Sequence, residues 1–562
     1  MINEIKLELE MLLTNEYYSK IKLEEPKDRT LGDLAIPLFI LGRDLNKKLP
    51  IIFNELSDLI MKSDLNSNIS NIDFKKGYLN IKLNKAKVSQ DIIMNTLKLM
   101  NSPETLNHIN ETIIFDYSSP NIAKSFSVGH LRSTIIGNAL ANIYKKLGYD
   151  VVRVNHLGDW GTQFGKMIVA YQKWGNEDDI KKNPIEELQK LYIKFHDEAS
   201  KDSNLDDEAR QAFVSLEQGK EPYISIWKWF KEESLKEFMM MYELLGVTFD
   251  SFYGEAFYKD QLESVVDLLE EKGLLSINDG AYIVDLTQDQ MPPALIKKSD
   301  GASLYITRDL AAVLYRRETY HFNELIYVVG SEQTLHFDQL KTVIRKLGFK
   351  EYDTIKHVNF GLVLNEGKKM STRKGNVAKL YDVLKDAITQ AKETIEIKNS
   401  DLDNIDEVAK IIGVSAIIYN DLKNERTRNI EFNLKEMLNF DGMTGPYIQY
   451  TRVRMHSILE KVRLENNHFN SNELNLSLYY DLIYLIGEYQ NNLLKAKEQL
   501  EPSIIARYAY AIAKEFNKVY SIDKFIVDNM EETNTKITLI RCAQYILDEC
   551  MTILGMKILN KM

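Results

Sequence analysis

Two short stretches carry residue types and spacings suited to handling a phosphorylated substrate. The first, residues 118–134, reads SSPNIAKSFSVGHLRST. Pro120 and Gly129 mark a loop, and His130 stands where that loop gives way to helical sequence. A helix start offers unpaired N–H groups and the positive end of the macrodipole, a natural phosphate site. Lys124, His130 and Arg132 would add charge and donors beside it. The competing reading is a Ser/Gly-rich loop with a solvated histidine. The second stretch, residues 364–376, reads LNEGKKMSTRKGN, with Gly367 and Gly375 bracketing Lys368, Lys369, Ser371, Thr372, Arg373 and Lys374. So many cations cannot be buried together. The loop is either a solvated turn or, given the strand before it, a mobile clamp for a triphosphate.

The elements around these stretches have to hold them together. ETIIFDY (111–117) reads as a buried strand, LRSTIIGNALANIYKKLGYD as a strong helix and DVVRV (150–154) as a second strand. That is a βαβ unit, implying a parallel sheet with its ligand at the carboxyl ends of the strands. Residues 178–245 are charged and helical and read as an insertion or connective layer. Strand-like segments return at 280–286, 324–330 and 357–364. Residues 1–105 read as a small α+β domain, with an apolar helical stretch after Gly32, a helix over 50–62 and a hairpin turning at Gly77. From about 380 the chain is helical nearly throughout, with 3.6-residue periodicity in 403–423, 448–466, 475–499, 503–519 and 533–556.

Composition bounds the function class. The 562 residues give room for several domains. A formal charge of -11 excludes a histone-like basic protein but not a nucleic-acid enzyme with a local basic surface. Cys542 and Cys550 stand alone, without a CxxC pair, so no zinc site is expected. At eight residues apart on one helix they lie about 12 Å apart, too far for a disulfide. Neither a signal peptide nor a membrane span is legible, and the expectation is a cytoplasmic protein without a membrane partner.

Taken together, the two stretches resemble the two nucleotide-binding signatures of class I aminoacyl-tRNA synthetases, and the wording around them is similar to the arginine–tRNA ligases. The likeness is carried in order by SSPNIAKSFSVGHLRSTIIGNAL, VNHLGDWGTQFG, LYITRDLAAVLYRRETY, IYVVGSEQTLHFDQL, KMSTRKGN and TGPYIQYTRVR. RYAYAIAKEFNKVY and ILGMKIL extend it toward the end, and GDLAIPLF and GYLNIKL resemble the family's additional N-terminal domain. The resemblance implies an α/β protein with a Rossmann-like class I catalytic core over 106–380. It adds an N-terminal tRNA-binding α+β domain over 1–105, a helical connection over 381–440 and an all-helical anticodon-binding domain over 441–562. It implies that L-arginine is activated by ATP to arginyl-adenylate with release of pyrophosphate. The arginyl group then passes to the 2′-hydroxyl of the terminal adenosine of arginine tRNA, with release of AMP. Magnesium is expected on the nucleotide rather than in a protein cage, the chain is expected to be a monomer, and bound tRNA is expected to be needed even for activation.

The same resemblance assigns residues. Ser127, Gly129, His130, Lys369, Met370 and Ser371 would bind ATP, and Lys124, His130, Lys369, Ser371 and Arg373 would act in catalysis. Asp116, Asn121, Glu255, Tyr305, Asp309 and Gln333 would hold arginine, whose rigid donor fork calls for carboxylates. His156 and Asp159 would line the same cleft. Tyr447, Arg452, Arg454, Arg507, Tyr508, Phe516 and Met562 are candidate tRNA contacts. Aromatic and Arg side chains at helical spacing can stack on and neutralise RNA, although such stripes also pack bundles. Two departures stand out: Ser127 replaces the first histidine of the first signature, and Thr372 replaces the second lysine of the second. Lys124 is positioned to compensate for the missing lysine.

Overall fold

Burial on both faces selects the central sheet. In the computed structural model, Ile113, Ile114 and Phe115 of strand Ile109–Asp116 are all inaccessible, the pattern of a parallel sheet covered on two sides. Four strands lie in the order Ile355–Val358, Glu324–Val328, Ile109–Asp116, Tyr149–Val154, each pair parallel. Helix Val128–Leu147 makes the crossover between the last two and ends on Gly148 at φ 98, the left-handed stop a glycine tolerates best. The structure describes all residues except 1, 18–20, 22, 25, 27, 29, 102–107, 299–304, 370–378, 399–401 and 463–467.

Several expectations change in detail. Residues 281–284 do form a strand, Ala281–Val284, but within a separate antiparallel sheet with Leu275–Asn278 and Ala294–Lys297. The run 357–364 splits into Ile355–Val358 of the central sheet and Val363–Asn365, which pairs with Lys368–Lys369 and Ile430–Glu431. The break lies at Gly361, where a Cβ would come within 2.6 Å of the Arg428 carbonyl, so the chain can turn against that loop only without a side chain. Near the N-terminus, Leu34–Pro37 is a strand paired with Tyr78–Leu83, not the start of a helix. Pro37 has no N–H and closes it, and helix Leu38–Leu45 begins after it. The periodic stretch 475–499 is two helices, Leu476–Gly487 and Tyr489–Gln499.

The first and last parts of the chain meet. Helix Lys85–Asn101 leaves the N-terminal sheet and packs on the C-terminal bundle, where the Gln90 side-chain amide donates to the Phe469 carbonyl (2.8 Å) and accepts from the Ser471 amide (3.2 Å). Cys542 and Cys550 are buried in the last long helix, Met530–Ile553, and burial pushes the Cys542 thiol up to about 12. Among the described residues no helix is long and apolar enough to cross a membrane.

Candidate active site

The loop after strand Ile109–Asp116 is strained and held. Ser118, Ser119 and Ala123 all adopt positive φ (74°, 46° and 60°), each costing on the order of 1–3 kcal/mol. Hydrogen bonds from three other elements fix them. The Ser118 amide donates to Ser133 Oγ (2.8 Å), the Ser119 amide to Asn155 Oδ1 (3.1 Å) and the Ala123 amide to Ser234 Oγ (2.9 Å). At its end, Ser127 precedes helix Val128–Leu147, and the Ser127 backbone N–H donates to His130 Nδ1 at 3.0 Å. That bond leaves Nδ1 without a proton and turns Nε2–H outward as a neutral donor. Burial, reinforced by the Lys124 charge, pushes the His130 pKa down to about 4. Lys124 itself is exposed. Among the described residues a Cβ on Gly129 would meet only Ser127 Oγ, at 3.5 Å, an ordinary contact, so these residues do not themselves require glycine there.

The residues that follow the second cationic stretch come to the same place. Lys379 forms an antiparallel bridge with Ser127, and the Leu380 amide donates to the Phe126 carbonyl at 2.8 Å. Lys369 lies in the short strand Lys368–Lys369, while Met370, Ser371, Thr372, Arg373 and Lys374 lie outside the described residues. Arg132, fully buried, ties the two stretches together. Its Nε reaches both Asp421 oxygens (3.0 and 3.2 Å), and its terminal nitrogens donate to the carbonyls of Gly361, Arg426 and Arg428.

Beside this loop lies a cleft of acids. Asp309 and Tyr305 are on helix Tyr305–Tyr320, Gln333 caps helix Thr334–Lys346, and Glu255 opens the turn Glu255–Gln261. Tyr305 is exposed at 68% and Gln333 is exposed too. Asp309 Oδ2 is 2.6 Å from His336 Nε2. Burial alone would raise the Asp309 carboxyl, but the bond to His336 and the charges of His336, His156 and Arg316 together outweigh it and hold the pKa below the usual carboxylate range. Glu255 pairs with Arg308 at 2.8 Å, yet burial still pushes its pKa up to about 7. His156 stacks on Tyr258, and its Nδ1 is buried without a partner. Asn121 bridges to Gly158, whose missing Cβ would lie 2.1 Å from Asn121 Oδ1.

Asp116, expected to hold arginine, and Asp159, expected to line the cleft, both sit behind it. Asp116 gives one oxygen to Arg316 (2.7 Å) and the other to the Ser119 hydroxyl (3.0 Å), with Arg316 itself 1% exposed. Asp159 is fully buried, with one oxygen on Lys231 Nζ (2.7 Å) and the other on the Ala256 amide (2.8 Å). Both carboxylates are spent on protein groups, so they brace the cleft instead of lining it. Asp159 in particular fixes the turn that presents Glu255.

Helix Tyr223–Leu245, expected only as part of a connective layer, builds the site from below. Trp227 Nε1 donates to the Asp159 carbonyl, Lys231 pairs with the Asp159 carboxylate, Ser234 receives the Ala123 amide, and the Tyr242 hydroxyl meets both Ser118 Oγ and Asn155 Nδ2. Lys231, Arg316 and His336 were not singled out in the sequence. Arg316 and His336 had a signal, their places in the quoted stretches LYITRDLAAVLYRRETY and IYVVGSEQTLHFDQL; Lys231 had none.

In the helical bundle the candidates divide. Tyr508 is buried and its hydroxyl donates to the Leu485 carbonyl, while Phe516 is inaccessible and stacks on Phe525. Arg452 is buried on Asp548, Asn560 and the Leu559 carbonyl. These three pack the bundle and cannot reach a ligand, because the bundle interior claims their faces. Met562 is partly buried against the same core, and Tyr447 accepts from Asn517 through its hydroxyl. Arg454 lies between the exposed rings of Tyr450 and Tyr520, 4.7 and 4.5 Å from their centroids. Arg507 is half-exposed, with Nε on the Lys423 carbonyl.

Comparison with known proteins covers the whole chain. Residues 90–434 match the family model for the catalytic domain of class I (R) tRNA synthetases, 448–562 that of the DALR anticodon binding domain, and 1–83 that of the arginyl tRNA synthetase N-terminal domain. An arginine–tRNA ligase from Exiguobacterium sibiricum is 48% identical over 533 residues, 95% of this chain and 94% of the relative. One from Pediococcus pentosaceus is 44% identical over 554 residues, 98% and 97% respectively. Among solved structures, arginyl-tRNA synthetase from Plasmodium falciparum aligns with a TM-score of 0.81 at 26% identity, covering 100% of this chain and 99% of that one. Arginyl-tRNA synthetase from Thermus thermophilus shares the fold at a TM-score of 0.85 and 20% identity, covering 100% of each chain.

Proposed function

Because this chain belongs to the arginine-specific family of class I aminoacyl-tRNA synthetases, whose catalysis charges tRNA with arginine, we propose a division of that work among its residues. ATP lies over the loop 118–129, with the backbone at Gly129 receiving the nucleoside. His130 Nε2–H and Lys124 meet phosphate oxygens. The arginine carboxylate attacks the α-phosphate in line, forming arginyl-adenylate and releasing pyrophosphate, so the protein contributes alignment and charge stabilisation. Lys369 stabilises the departing pyrophosphate, with Ser371 and Arg373 beside it. Ser127 cannot supply the charge of a histidine, but its amide fixes the tautomer of His130, which retains the donor that matters. The arginyl group then passes to the 2′-hydroxyl of the terminal adenosine of arginine tRNA, and AMP leaves.

Asp309 takes the substrate guanidinium, with Tyr305, Gln333 and Glu255 around it and Asn121 at the α-amino or carboxylate end. The single observation that supports this reading is the bridge between Ser127 and Lys379, which brings the chain just after the second stretch against the end of the first. Magnesium arrives on the triphosphate. Among the described residues no group of three His, Cys, Asp or Glu could hold a metal ion, and the donors at the phosphate end suit phosphate oxygens, not a cation. Residues 1–105 contact the outer corner of the tRNA, 106–380 form the catalytic domain, 381–440 connect, and 441–562 read the anticodon, with Tyr447, Arg454 and Arg507 the bundle candidates left at its surface and Met562 at its edge. The protein works as a monomer in the cytoplasm.

Charging of total tRNA with each of twenty labelled amino acids, with and without ATP, tests this. Arginine alone should be attached, and only with ATP. Attachment of a different amino acid would overturn the pocket assignment, and no attachment by folded protein that still binds tRNA would overturn the catalytic reading.

A further inference from the structure

Four acids at or behind the arginine cleft each pair with a cation, with Glu217 also facing Arg308. Asp116 has Arg316 at 2.7 Å, Asp159 has Lys231 at 2.7 Å, and Glu255 has Arg308 at 2.8 Å. Those three cations are permanent near neutral pH. The fourth acid, Asp309, is paired at 2.6 Å with His336, a group that can give up its charge. The other Asp309 oxygen, Oδ1, accepts no hydrogen bond among the described residues. Each of these four acids thus faces one cation in the empty site, and a substrate guanidinium brings a further positive charge beside them.

We propose that His336 is a positioning and specificity-determining residue of the arginine pocket: it holds Asp309 in the empty site and loses one proton to water when the substrate guanidinium takes Asp309. This rests on the reading of Asp309 as the guanidinium contact. The proton balance is simple. The imidazolium carries N–H on both nitrogens, Nε2–H stays on Asp309 Oδ2, and the Nδ1 proton leaves. The ring is 22% exposed, which gives that proton a path to solvent. The neutral ring remains a donor, so Asp309 stays oriented while its charge is freed for the substrate.

The surrounding charges support the assignment. Burial lowers the His336 pKa, but the hydrogen bond and charge of Asp309 together outweigh it and raise it above the ordinary histidine value, so the empty site holds this proton more tightly than a free imidazole does. A guanidinium on Asp309 cancels that charge and lets the pKa fall. From the other elements, His156 and Arg316 face Asp309, while Asp309 and Asp159 face Glu255 within its pair with Arg308. Asp338, on the helix of His336, faces His357. A neutral isostere such as citrulline brings no charge to exchange for the proton. It must accept a pocket still holding its imidazolium, which turns a difference of one charge into discrimination.

The experiment measures KM for arginine in aminoacylation at saturating ATP and tRNA from pH 6 to 8 at fixed ionic strength. One released proton makes KM fall about tenfold per pH unit below the His336 pKa and level off above it, with kcat little changed. In His336→Gln, whose amide can still donate to Asp309, the fall in KM should shrink by one proton to what Glu255, at about 7, contributes alone, and His156→Asn should keep the full slope. Calorimetry of arginine binding to the unsubstituted chain, in two buffers of different ionisation heat, needs no variant. It should register proton release with arginine and none with citrulline. A flat KM profile, a slope undiminished in His336→Gln, a slope that vanishes in His156→Asn, or no proton release would each overturn the proposal while arginine charging stands. Unchanged arginine affinity in Asp309→Asn would instead overturn the underlying pocket reading.

Discussion

Asp421→Asn isolates the link between the two nucleotide signatures. Arg132, on the helix of the first, is 1% exposed at its side chain and Asp421 4%. Removing one partner of such a pair strands a buried charge, typically at about 3–5 kcal/mol. Two features place this case at the low end. The guanidinium keeps the carbonyls of Gly361, Arg426 and Arg428, and the asparagine oxygen can still accept from Nε. Burial also raises the Asp421 carboxyl despite Arg132, so the native pair already bears a desolvation cost. About 3 kcal/mol of lost local stability corresponds to roughly 150-fold more opening. Hydrogen exchange can read it at the amides that close this region, Gly361 on the Arg426 carbonyl, Leu362 on Asn429, Ile430 on the Leu362 carbonyl and Phe432 on the Leu364 carbonyl. Where reclosing outruns exchange, these amides should accelerate by about two orders of magnitude. Amides of the distant helix Met530–Ile553 should hold their protection. Pyrophosphate exchange should lose kcat with little change in KM for arginine. Unaltered protection at all four amides would refute the idea that Arg132 fastens the strand leading into the second signature.

Asp309→Ala should cut kcat/KM for arginine by about a hundredfold or more, the loss expected when one partner of a desolvated charge pair is truncated, while the Kd for ATP holds; equal loss of both would be incompatible with its placement in the amino-acid pocket. His130 is kept neutral down to about pH 4, so its required form is present above that value, and it should contribute no acid limb to kcat between pH 5.5 and 8 at saturating arginine. A limb near pH 6.5 abolished by His130→Asn would contradict this. In the bundle, Phe516→Ala should destabilise by about 3–5 kcal/mol, read as a lower unfolding midpoint. Arg454→Ala should leave that midpoint in place but weaken tRNA binding and flatten its logarithmic salt dependence by about one unit; a shared effect of the two changes would place Arg454 in the core.

What could be read from the sequence follows the distance between interacting partners. The phosphate-binding loop was legible because its chemistry is local: a strand, a glycine, a helix start and His130 fall within one short run, and the Ser127–His130 bond spans three residues. The braces were not legible, because a lone Lys or Arg does not announce its partner. Arg132 meets Asp421 across 289 positions and Lys231 meets Asp159 across 72. Asp116 and Asp159 were expected at the cleft for the same reason: the motifs that hold them mark a place in the chain, while the direction of a carboxylate is set by whichever cation the fold delivers. Helical periodicity had the converse weakness. It located the bundle helices but did not separate Phe516, turned inward, from Tyr520, which is 42% exposed, because an aromatic reads the same on either face.

The braces also explain how charged residues that the sequence did not single out shape the site. A pocket for a guanidinium needs negative charge, yet an empty pocket with four bare carboxylates would repel itself and raise their pKa values until some were protonated and useless. Burial already pushes Glu255 up to about 7 even with Arg308 beside it, and the charges of Asp309 and Asp159 add to the rise. Supplying each acid with a cation avoids the repulsion, and it leaves binding strength to the one acid whose cation can be displaced. Arg308 and Asp309 are neighbours on one helix with different partners, so a single helical turn supplies both the fixed and the exchangeable pair. Exchanging the two kinds of cation, with a lysine at 336 in place of the histidine, should therefore leave the fold intact while raising KM for arginine at every pH. The deficit should not recover as pH rises toward 8, since the lysine keeps its proton throughout that range.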